Sequence, residues 1–112
     1  MIGTCHCGRV AFEIKTPPKR AFTCNCSYCS RRGWRHAYAE PQDFALLRGE
    51  DVLSTYRFGA GTTANYFCSR CGIHTHFFST YRERPHYAYS LACCDALDPG
   101  SLEVEAIDGR SF

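Results

Sequence analysis

The sequence lacks an apolar run of the length that crosses a membrane. Uncharged stretches such as residues 64–69 and 71–81 are laced with polar side chains and fall well short of the ~18 apolar residues that a spanning helix needs. A surplus of one charge is also missing, since 13 Lys and Arg residues face 11 Asp and Glu residues, for a net charge of +2. So small an imbalance predicts neither nucleic acid nor an anionic membrane as partner.

A secretory leader is also missing from the start of the sequence. Residues 1–4 run directly into Cys5 and Cys7 without a basic segment, an apolar segment or a cleavage site. We therefore expect a cytoplasmic protein, in whose reducing surroundings disulfides do not persist. With 112 residues, 45% of them hydrophobic and 21% charged, the chain is predicted to form one globular domain over residues 1–112.

Alternating apolar and polar residues predict an all-β fold with antiparallel pairing and little helix. The predicted strands lie at residues 10–15, 21–24, 34–39, 52–58, 62–68, 73–79, 86–92 and 102–107. No window of 11–18 residues keeps apolar side chains at helical spacing. Helix is therefore expected only as turns near residues 27–32, 41–44 and 94–97.

Cysteine is the abundant residue that needs an explanation, with nine copies in 112 residues. Full disulfide pairing cannot satisfy an odd number, and dense cysteines in a reducing compartment more often bind metal or carry out chemistry. Seven of the nine fall into tight groups, which are Cys5-x-Cys7, Cys24-x-Cys26-x-x-Cys29 and Cys68-x-x-Cys71. Such groups suit zinc, because a Cys-x-x-Cys turn can present two thiolates to one tetrahedral ion.

The seven cysteines divide into a set of four and a set of three. Three thiolates within residues 24–29 can reach one ion without help, so the other two groups are expected to pair. They predict a closed, structural zinc site formed by Cys5, Cys7, Cys68 and Cys71. The other set predicts an open zinc site whose fourth position water or substrate fills, as in catalytic sites; it consists of Cys24, Cys26 and Cys29. Gly8 and Gly72 follow two of the groups, where a tight reversal favours positive φ.

Other interpretations of the cysteines stay open. The seven could be buried or disulfide-bonded, or they could bind metal only for structure, with a histidine completing the second site. The candidate histidines are His6, His36, His74 and His76. A thioredoxin-like redox motif is disfavoured because no βαβ pattern surrounds the Cys-x-x-Cys pairs. Cys93 and Cys94 are interpreted as packing residues at the end of an apolar strand.

Three motifs in this order resemble a known family. They are Gly3-x-Cys5-x-Cys7-Gly8-x-Val10-x-Phe12-Glu13, Cys24-Asn25-Cys26-Ser27-x-Cys29 and Phe67-Cys68-x-x-Cys71-Gly72. The pattern is similar to the signature of glutathione-dependent formaldehyde-activating enzymes and the related centromere protein V domain, and it covers nearly the whole chain. The resemblance implies a β-tent fold with two zinc ions, divided over the cysteines as above. It also implies a carbon–sulfur lyase reaction, in which the thiol of glutathione adds to formaldehyde to give S-hydroxymethylglutathione.

The chemistry of an open three-cysteine site fits this reaction class. Three thiolates leave a zinc site with a net charge of −1, which disfavours activation of water and favours binding of an incoming thiol, a soft ligand. A small thiol and a small aldehyde are therefore the expected substrates. The alternative is a non-catalytic zinc module that binds a macromolecular partner.

The residues near the cysteines allow further hypotheses, although none is assigned a catalytic role. Three arginines could bind substrate carboxylates, but a solvated face is the favoured interpretation; they are Arg31, Arg32 and Arg35. Trp34, His36 and Tyr38 share one face of a predicted strand and could line a pocket. His74 and His76 could act as outer donors to the closed site.

Overall fold

The computed structural model describes residues 1–111, in which ten strands form two sheets. Phe112, the last residue of the predicted single domain, lies outside the described residues. The strands are β1 (Ile2–Thr4), β2 (Ala11–Ile14), β3 (Arg20–Cys24), β4 (His36–Ala39), β5 (Phe44–Arg48), β6 (Leu53–Tyr56), β7 (Thr63–Cys68), β8 (His74–Ser79), β9 (His86–Ser90) and β10 (Glu103–Ile107). The all-β prediction is confirmed.

One α-helix, α1 (Ser27–Arg32), occurs in the described part of the chain, at the position predicted for a helical turn. The sulfur of Cys26 caps its start by accepting a hydrogen bond from the backbone N–H of Cys29. The helix ends at Gly33, whose φ of 65° is left-handed and whose N–H donates to the carbonyl of Cys29. In residues 1–111 no helix combines the length and the apolar character needed to cross a membrane.

The smaller sheet has the strand order β1-β2-β5 and is antiparallel throughout. Two of its strands were not predicted from the sequence. The short β1 contains Gly3, a poor strand former, but the ring of Phe12 on β2 packs directly against that residue and leaves no room for a side chain. The strand β5 begins at Phe44, directly after a 3₁₀ turn at Pro41–Asp43, in the region predicted only as a turn.

The larger sheet has the strand order β10-β3-β4-β9-β8-β7-β6. The prediction of antiparallel pairing is wrong for its edge, because β10 runs parallel to β3 from the pair Glu103–Arg20 to the pair Ile107–Cys24. Residues 91–102 form a crossover long enough for the chain to return in the same direction. This parallel edge brings the C-terminal residues alongside the end of β3.

The hydrophobic core lies between the two sheets. Phe12 and Ile14 of the smaller sheet pack in one cluster with Tyr89 of β9 and with Leu91, which directly follows β9, and all four are almost completely buried. A second cluster consists of Cys5, Val10 and Cys68 with partly buried neighbours. The core thus already contains two of the predicted zinc ligands.

Candidate functional site

Four of the predicted ligands meet where the two sheets come together. Cys5 and Cys7 follow β1 of the smaller sheet, Cys68 ends β7 of the larger sheet, and Cys71 lies in the turn that leads to β8. Their sulfur atoms all lie within 4.8 Å of one another. The sulfur of Cys7 is 3.7 Å from that of Cys5 and 3.7 Å from that of Cys68. Four thiolates at about 2.3 Å from a tetrahedral ion would be separated by about 3.8 Å, so this four-cysteine cluster fits zinc.

Two similar turns present these sulfurs. In the first, Gly8 donates its N–H to the carbonyl of Cys5; in the second, Gly72 donates to the carbonyl of Cys68. Both glycines have positive φ, 81° and 79°, which confirms the predicted reversals. The backbone N–H of Val10 also donates to the sulfur of Cys5 at 3.3 Å.

Backbone hydrogen bonds favour the thiolate form of two cysteines in this cluster, Cys7 and Cys71. Burial opposes a charge on Cys71, but N–H groups of Cys7 and Ile73 outweigh it and lower the pKa of Cys71 to about 6. The pKa of Cys7 is also lowered, chiefly by the backbone N–H of Arg9. These donors prepare the cluster for a cation, since metal ligation requires deprotonated cysteine.

The remaining three predicted ligands form a second cluster at the end of β3 and the start of α1. The sulfurs of Cys24, Cys26 and Cys29 lie within 4.8 Å of one another, and all three residues are half-buried. Among residues 1–111, no histidine or carboxylate shares either cluster. All nine cysteines are free. The structure thus does not support the disulfide interpretation or a histidine as fourth ligand.

Arg32 contacts the three-cysteine cluster directly, which corrects its placement on a solvated face. Its guanidinium donates to the sulfur of Cys29 at 3.0 Å and to Oδ1 of Asn65 at 3.3 Å. The guanidinium lies 3.7 Å above the ring of Trp34 and 4.4 Å from that of Tyr28. No carboxylate in the described chain pairs with it. Arg32 therefore supplies a positive charge, unpaired with any carboxylate, beside the three cysteine sulfurs.

Arg31 and Arg35 differ from Arg32, and for them the solvated-face interpretation is correct. Both are exposed, and the Arg31 guanidinium donates to the backbone carbonyl of Ser27 one turn earlier in the helix.

In the three-cysteine cluster without a bound metal, the thiol pKa values shift in opposite directions. Burial raises the pKa of Cys29 to about 11, although Arg32 counteracts part of the rise. The pKa of Cys26 is lowered despite burial, because the backbone N–H of Cys29 donates to its sulfur. A cation must therefore displace at least the Cys29 proton, and the donor set of soft sulfurs fits zinc.

A cavity of about 270 Å³ opens against the three-cysteine cluster. His36 and Tyr38 line it, as the alternation along β4 allowed, and Nε2 of His36 lies 3.1 Å from the Tyr38 hydroxyl. Burial, with a smaller contribution from the charge of Arg32, lowers the pKa of His36 to about 4. Burial and the nearby cysteines Cys24 and Cys29 raise the pKa of Tyr38 to about 12. The cavity wall thus holds a neutral imidazole and a protonated phenol at neutral pH.

His86 also lines this cavity and was missed in the sequence, where it stands alone in a strand without a motif. Its Nδ1 lies 2.8 Å from the backbone carbonyl of Arg84. Because a carbonyl only accepts hydrogen bonds, Nδ1 carries the proton and Nε2 is the acceptor of the neutral ring. The buried Asn65, whose amide donates to the Tyr56 carbonyl, completes this part of the wall.

The histidines predicted as outer donors to the four-cysteine cluster lie elsewhere. His74 accepts a hydrogen bond from Arg32 at 2.7 Å and packs edge-on against Trp34. Burial, followed by the charge of Arg32, lowers the pKa of His74 to about 2. His76 is hydrogen-bonded to Thr75 and stacks on Tyr66. The structure does not support the outer-donor hypothesis, because the His74 ring contacts Arg32 and Trp34 and the His76 ring contacts Tyr66.

Cys93 and Cys94 are buried in the core, as the packing interpretation predicted. The sulfur of Cys94 faces the backbone carbonyl of Ser90 at 3.7 Å. Burial raises the pKa of Cys94 to about 12, which leaves it an unreactive thiol.

The chain resembles known proteins in both sequence and structure. A curated protein of Halomonas elongata, named "Putative glutathione-dependent formaldehyde-activating enzyme", is 33% identical over 78 residues, or 62% of this chain and 50% of that protein. The chain thus spans about half the length of the curated relative it matches. A crystal structure of a Rhodobacter sphaeroides protein superposes with a TM-score of 0.82 at 34% identity, over 94% of this chain and all of that one.

The family comparison agrees with the arrangement of the cysteines. The family model described as "Glutathione-dependent formaldehyde-activating enzyme" matches residues 1–105, a stretch that contains both cysteine clusters and the cavity-lining residues His36, Tyr38 and His86. This chain belongs to the family of glutathione-dependent formaldehyde-activating enzymes.

Proposed function

We propose that the chain holds two zinc ions and catalyses the reversible addition of a small thiol to a small aldehyde. The single observation that carries this is the pairing of the three-cysteine cluster with its cavity, in which three sulfurs within 4.8 Å face polar groups that can handle protons. Family membership supports glutathione and formaldehyde as the substrate pair. The nine free cysteines, none of which forms a disulfide, support a cytoplasmic location.

The two clusters have different roles in this proposal. Zinc at Cys5, Cys7, Cys68 and Cys71 joins the two sheets and serves structure, since four protein sulfurs complete a tetrahedron. Zinc at Cys24, Cys26 and Cys29, when bound, supplies an electrophilic position that favours the thiolate form of an incoming thiol.

Arg32 offsets the negative charge of the three-cysteine site. Three thiolates and a divalent cation sum to −1, and the guanidinium 3.0 Å from the Cys29 sulfur brings the local sum to zero. The charge is held in place because the guanidinium is stacked between Tyr28 and Trp34. We infer that Arg32 makes the binding of a further anionic ligand less unfavourable.

The groups along the cavity can carry the protons of the addition. The thiol sulfur forms a bond to the aldehyde carbon, the π pair of the carbonyl moves to its oxygen, and the thiol proton must reach that oxygen. His86 Nε2 accepts the thiol proton, and the Tyr38 hydroxyl donates a proton to the developing alkoxide. The two rings lie 5.8 Å apart, so the proton on His86 can then return to Tyr38. The product is a thiohemiacetal, and no atom or electron is left over.

A second cavity has room for the part of the thiol substrate that lies beyond its reactive sulfur. It has a volume of about 510 Å³ and shares Tyr38 and His86 with the first. Lys19 lies on its wall, where Arg84 pairs with Glu40 at 2.8 Å. Both signs of charge suit a zwitterionic thiol such as glutathione, which carries two carboxylates and one ammonium group.

The test combines metal analysis with a rate measurement. We expect two zinc ions per chain by mass spectrometry of the metal content. Exchange spectroscopy by nuclear magnetic resonance should show faster thiohemiacetal formation from formaldehyde and glutathione with protein than without. The neutral 2-mercaptoethanol should gain less. Equal rates with and without protein, while both zinc ions are bound, would leave the non-catalytic binding module as the better description.

A further inference from the structure

Asn25, the residue between two of the three sulfur ligands, is held entirely by the C-terminal segment. Its backbone N–H donates to the carbonyl of Ile107 at 3.2 Å, and its backbone carbonyl accepts from Nε of Arg110 at 2.7 Å. Its side-chain Nδ2 donates to Oδ1 of Asp108 at 2.8 Å, and its Oδ1 accepts from the Arg110 N–H at 3.1 Å. Every polar group of Asn25 is thus bound by residues 107–110.

The side-chain orientation of Asn25 follows from its partners. A carboxylate can only accept and a backbone N–H can only donate, so Nδ2 must face Asp108 and Oδ1 must face Arg110. Asp108 is itself held by the hydroxyl of Ser111, which donates to its second oxygen at 2.6 Å. The contacts therefore form one connected network.

The network acts at the point where the chain must bend. The Cα atoms of residues two apart in a straight strand are about 6.6 Å apart, so the side chains of Cys24 and Cys26 must converge for their sulfurs to lie within 4.8 Å. The strand β3 ends at Cys24, so the curvature falls on Asn25. Fixing both peptide groups and the side chain of Asn25 fixes the separation of the two sulfurs.

Gly109 brings the same segment into contact with the cluster. A Cβ atom at this position would lie 2.5 Å from the sulfur of Cys24 and 3.0 Å from the Cβ of Cys26. Real Cβ contacts are not that short, so a side chain here would displace the sulfur. Gly109 also lines the 270 Å³ cavity, and its backbone therefore forms part of the wall beside Cys24.

We propose that residues 107–110 are a clamp that positions the sulfurs of Cys24 and Cys26 for metal binding. Asn25 is the positioning residue, and Gly109 keeps the wall free of a side chain. The parallel pairing of β10 with β3 delivers the clamp to the cluster from 83 to 85 residues away in sequence. The family match ends at residue 105, so the clamp lies beyond the matched stretch. The inference rests on the proposed metal site and not on the proposed reaction.

The test measures the affinity of the second metal by competition with a chromophoric zinc chelator. In Asn25→Asp, two carboxylates face each other where an amide and a carboxylate were bonded, so we expect that affinity to fall roughly 10–100-fold. In the double variant Asn25→Asp, Asp108→Asn, the amide and the carboxylate exchange places, and affinity should recover. A purely structural role for this segment would not predict a recovery that is confined to one metal site. Both variants are therefore also compared by thermal unfolding. The affinity of the more tightly bound metal serves as internal reference and should stay unchanged.

Gly109→Ala provides an independent arm of the test, with Gly100→Ala as its matched control. Position 100 lies in the same C-terminal region, and a Cβ there would meet only the Asp98 carboxylate at 3.3 Å. We expect Gly109→Ala to weaken the second metal and Gly100→Ala to leave it unchanged. Unchanged affinity in both Asn25→Asp and Gly109→Ala, or no recovery in the double variant, overturns the clamp. A wild-type protein that binds a single metal would instead overturn the metal site itself.

Discussion

Replacing Cys68 by serine is expected to remove much of the stability of the fold. Cys68 is fully buried, and its sulfur lies 3.7 Å from that of Cys7, which is 61 residues away in sequence. A cross-link that closes a loop of this length stabilises a folded chain by about 4 kcal/mol through the entropy of the unfolded state. Small domains are stable by only about 5–15 kcal/mol. At about 4–8 °C per kcal/mol, the loss corresponds to a fall of roughly 15–30 °C in the melting temperature.

Cys26→Ser is the matched variant in the other cluster, and it should leave the fold intact. The three sulfurs there lie within residues 24–29, so a bound ion closes only a short loop. Serine is also a good N-cap and can accept the hydrogen bond that Cys29 now donates to the Cys26 sulfur at 3.3 Å. We expect Cys26→Ser to shift the melting temperature by less than about 5 °C.

Thermal unfolding followed by circular dichroism, together with the metal content of each purified variant, decides the matter. Cys26→Ser should retain the metal of the four-cysteine cluster and lose the other. Equal losses of stability in the two variants would refute the division of the cysteines into sets of four and three. Wild-type stability of Cys68→Ser would refute the structural role of the four-cysteine cluster.

Three further predictions concern side chains around the two sites. Arg32→Gln removes the charge 3.0 Å from the Cys29 sulfur. The second metal should then bind roughly 10–100-fold more weakly in chelator competition, and Arg32→Lys should retain part of the affinity. Equal affinities in the wild type and Arg32→Gln would contradict the charge argument. Tyr38→Phe keeps the ring contact with Phe22 but loses the proton donor, so kcat should fall by roughly 100-fold or more at an unchanged melting temperature, and an unaltered kcat would exclude the role. Burial lowers the pKa of His76 from 6.5 to about 4, so the unfolded chain takes up the proton first as the pH falls, and stability is lost between pH 6.5 and 4. Between pH 7 and 5, the free energy of unfolding measured in urea should therefore fall by about 2 kcal/mol less in His76→Phe than in the wild type. The same pH dependence in both proteins would contradict this.

The grouping of the cysteines into two clusters could be predicted from the sequence because the turns that form each group are local. Two of the three cysteine groups are followed by a glycine, and both reversals occur at Gly8 and Gly72 with the expected positive φ. Once Cys24, Cys26 and Cys29 are assigned to one ion, the other two groups have only each other as partners. The spacing of the cysteines in the sequence was therefore enough to predict a contact between two groups that adjoin different sheets.

Long-range contacts could not be predicted in the same way. Arg32 resembles its neighbours Arg31 and Arg35 in sequence, and only the packing of Tyr28 and Trp34 turns its guanidinium toward Cys29. The edge strand was predicted at residues 102–107, but its parallel pairing with β3 depends on the path of the crossover, which the alternation of apolar and polar residues does not encode.

The two clusters differ in their surroundings. We therefore expect substitutions at one cluster to change the stability of the fold and substitutions around the other to change metal affinity or reaction rate. The four-cysteine cluster has two buried cysteines, Cys5 and Cys68, together with backbone donors, and it joins the ends of strands from both sheets, so we expect its loss to disturb the whole fold. The three-cysteine cluster belongs to the end of one strand and a six-residue helix, and it faces a cavity. Its supporting groups act through charge and position, and the hydrophobic core between the sheets does not depend on them. Substitutions at Arg32, Tyr38 or Asn25 should consequently alter metal affinity or rate at nearly constant stability, a separation that a single shared site could not show.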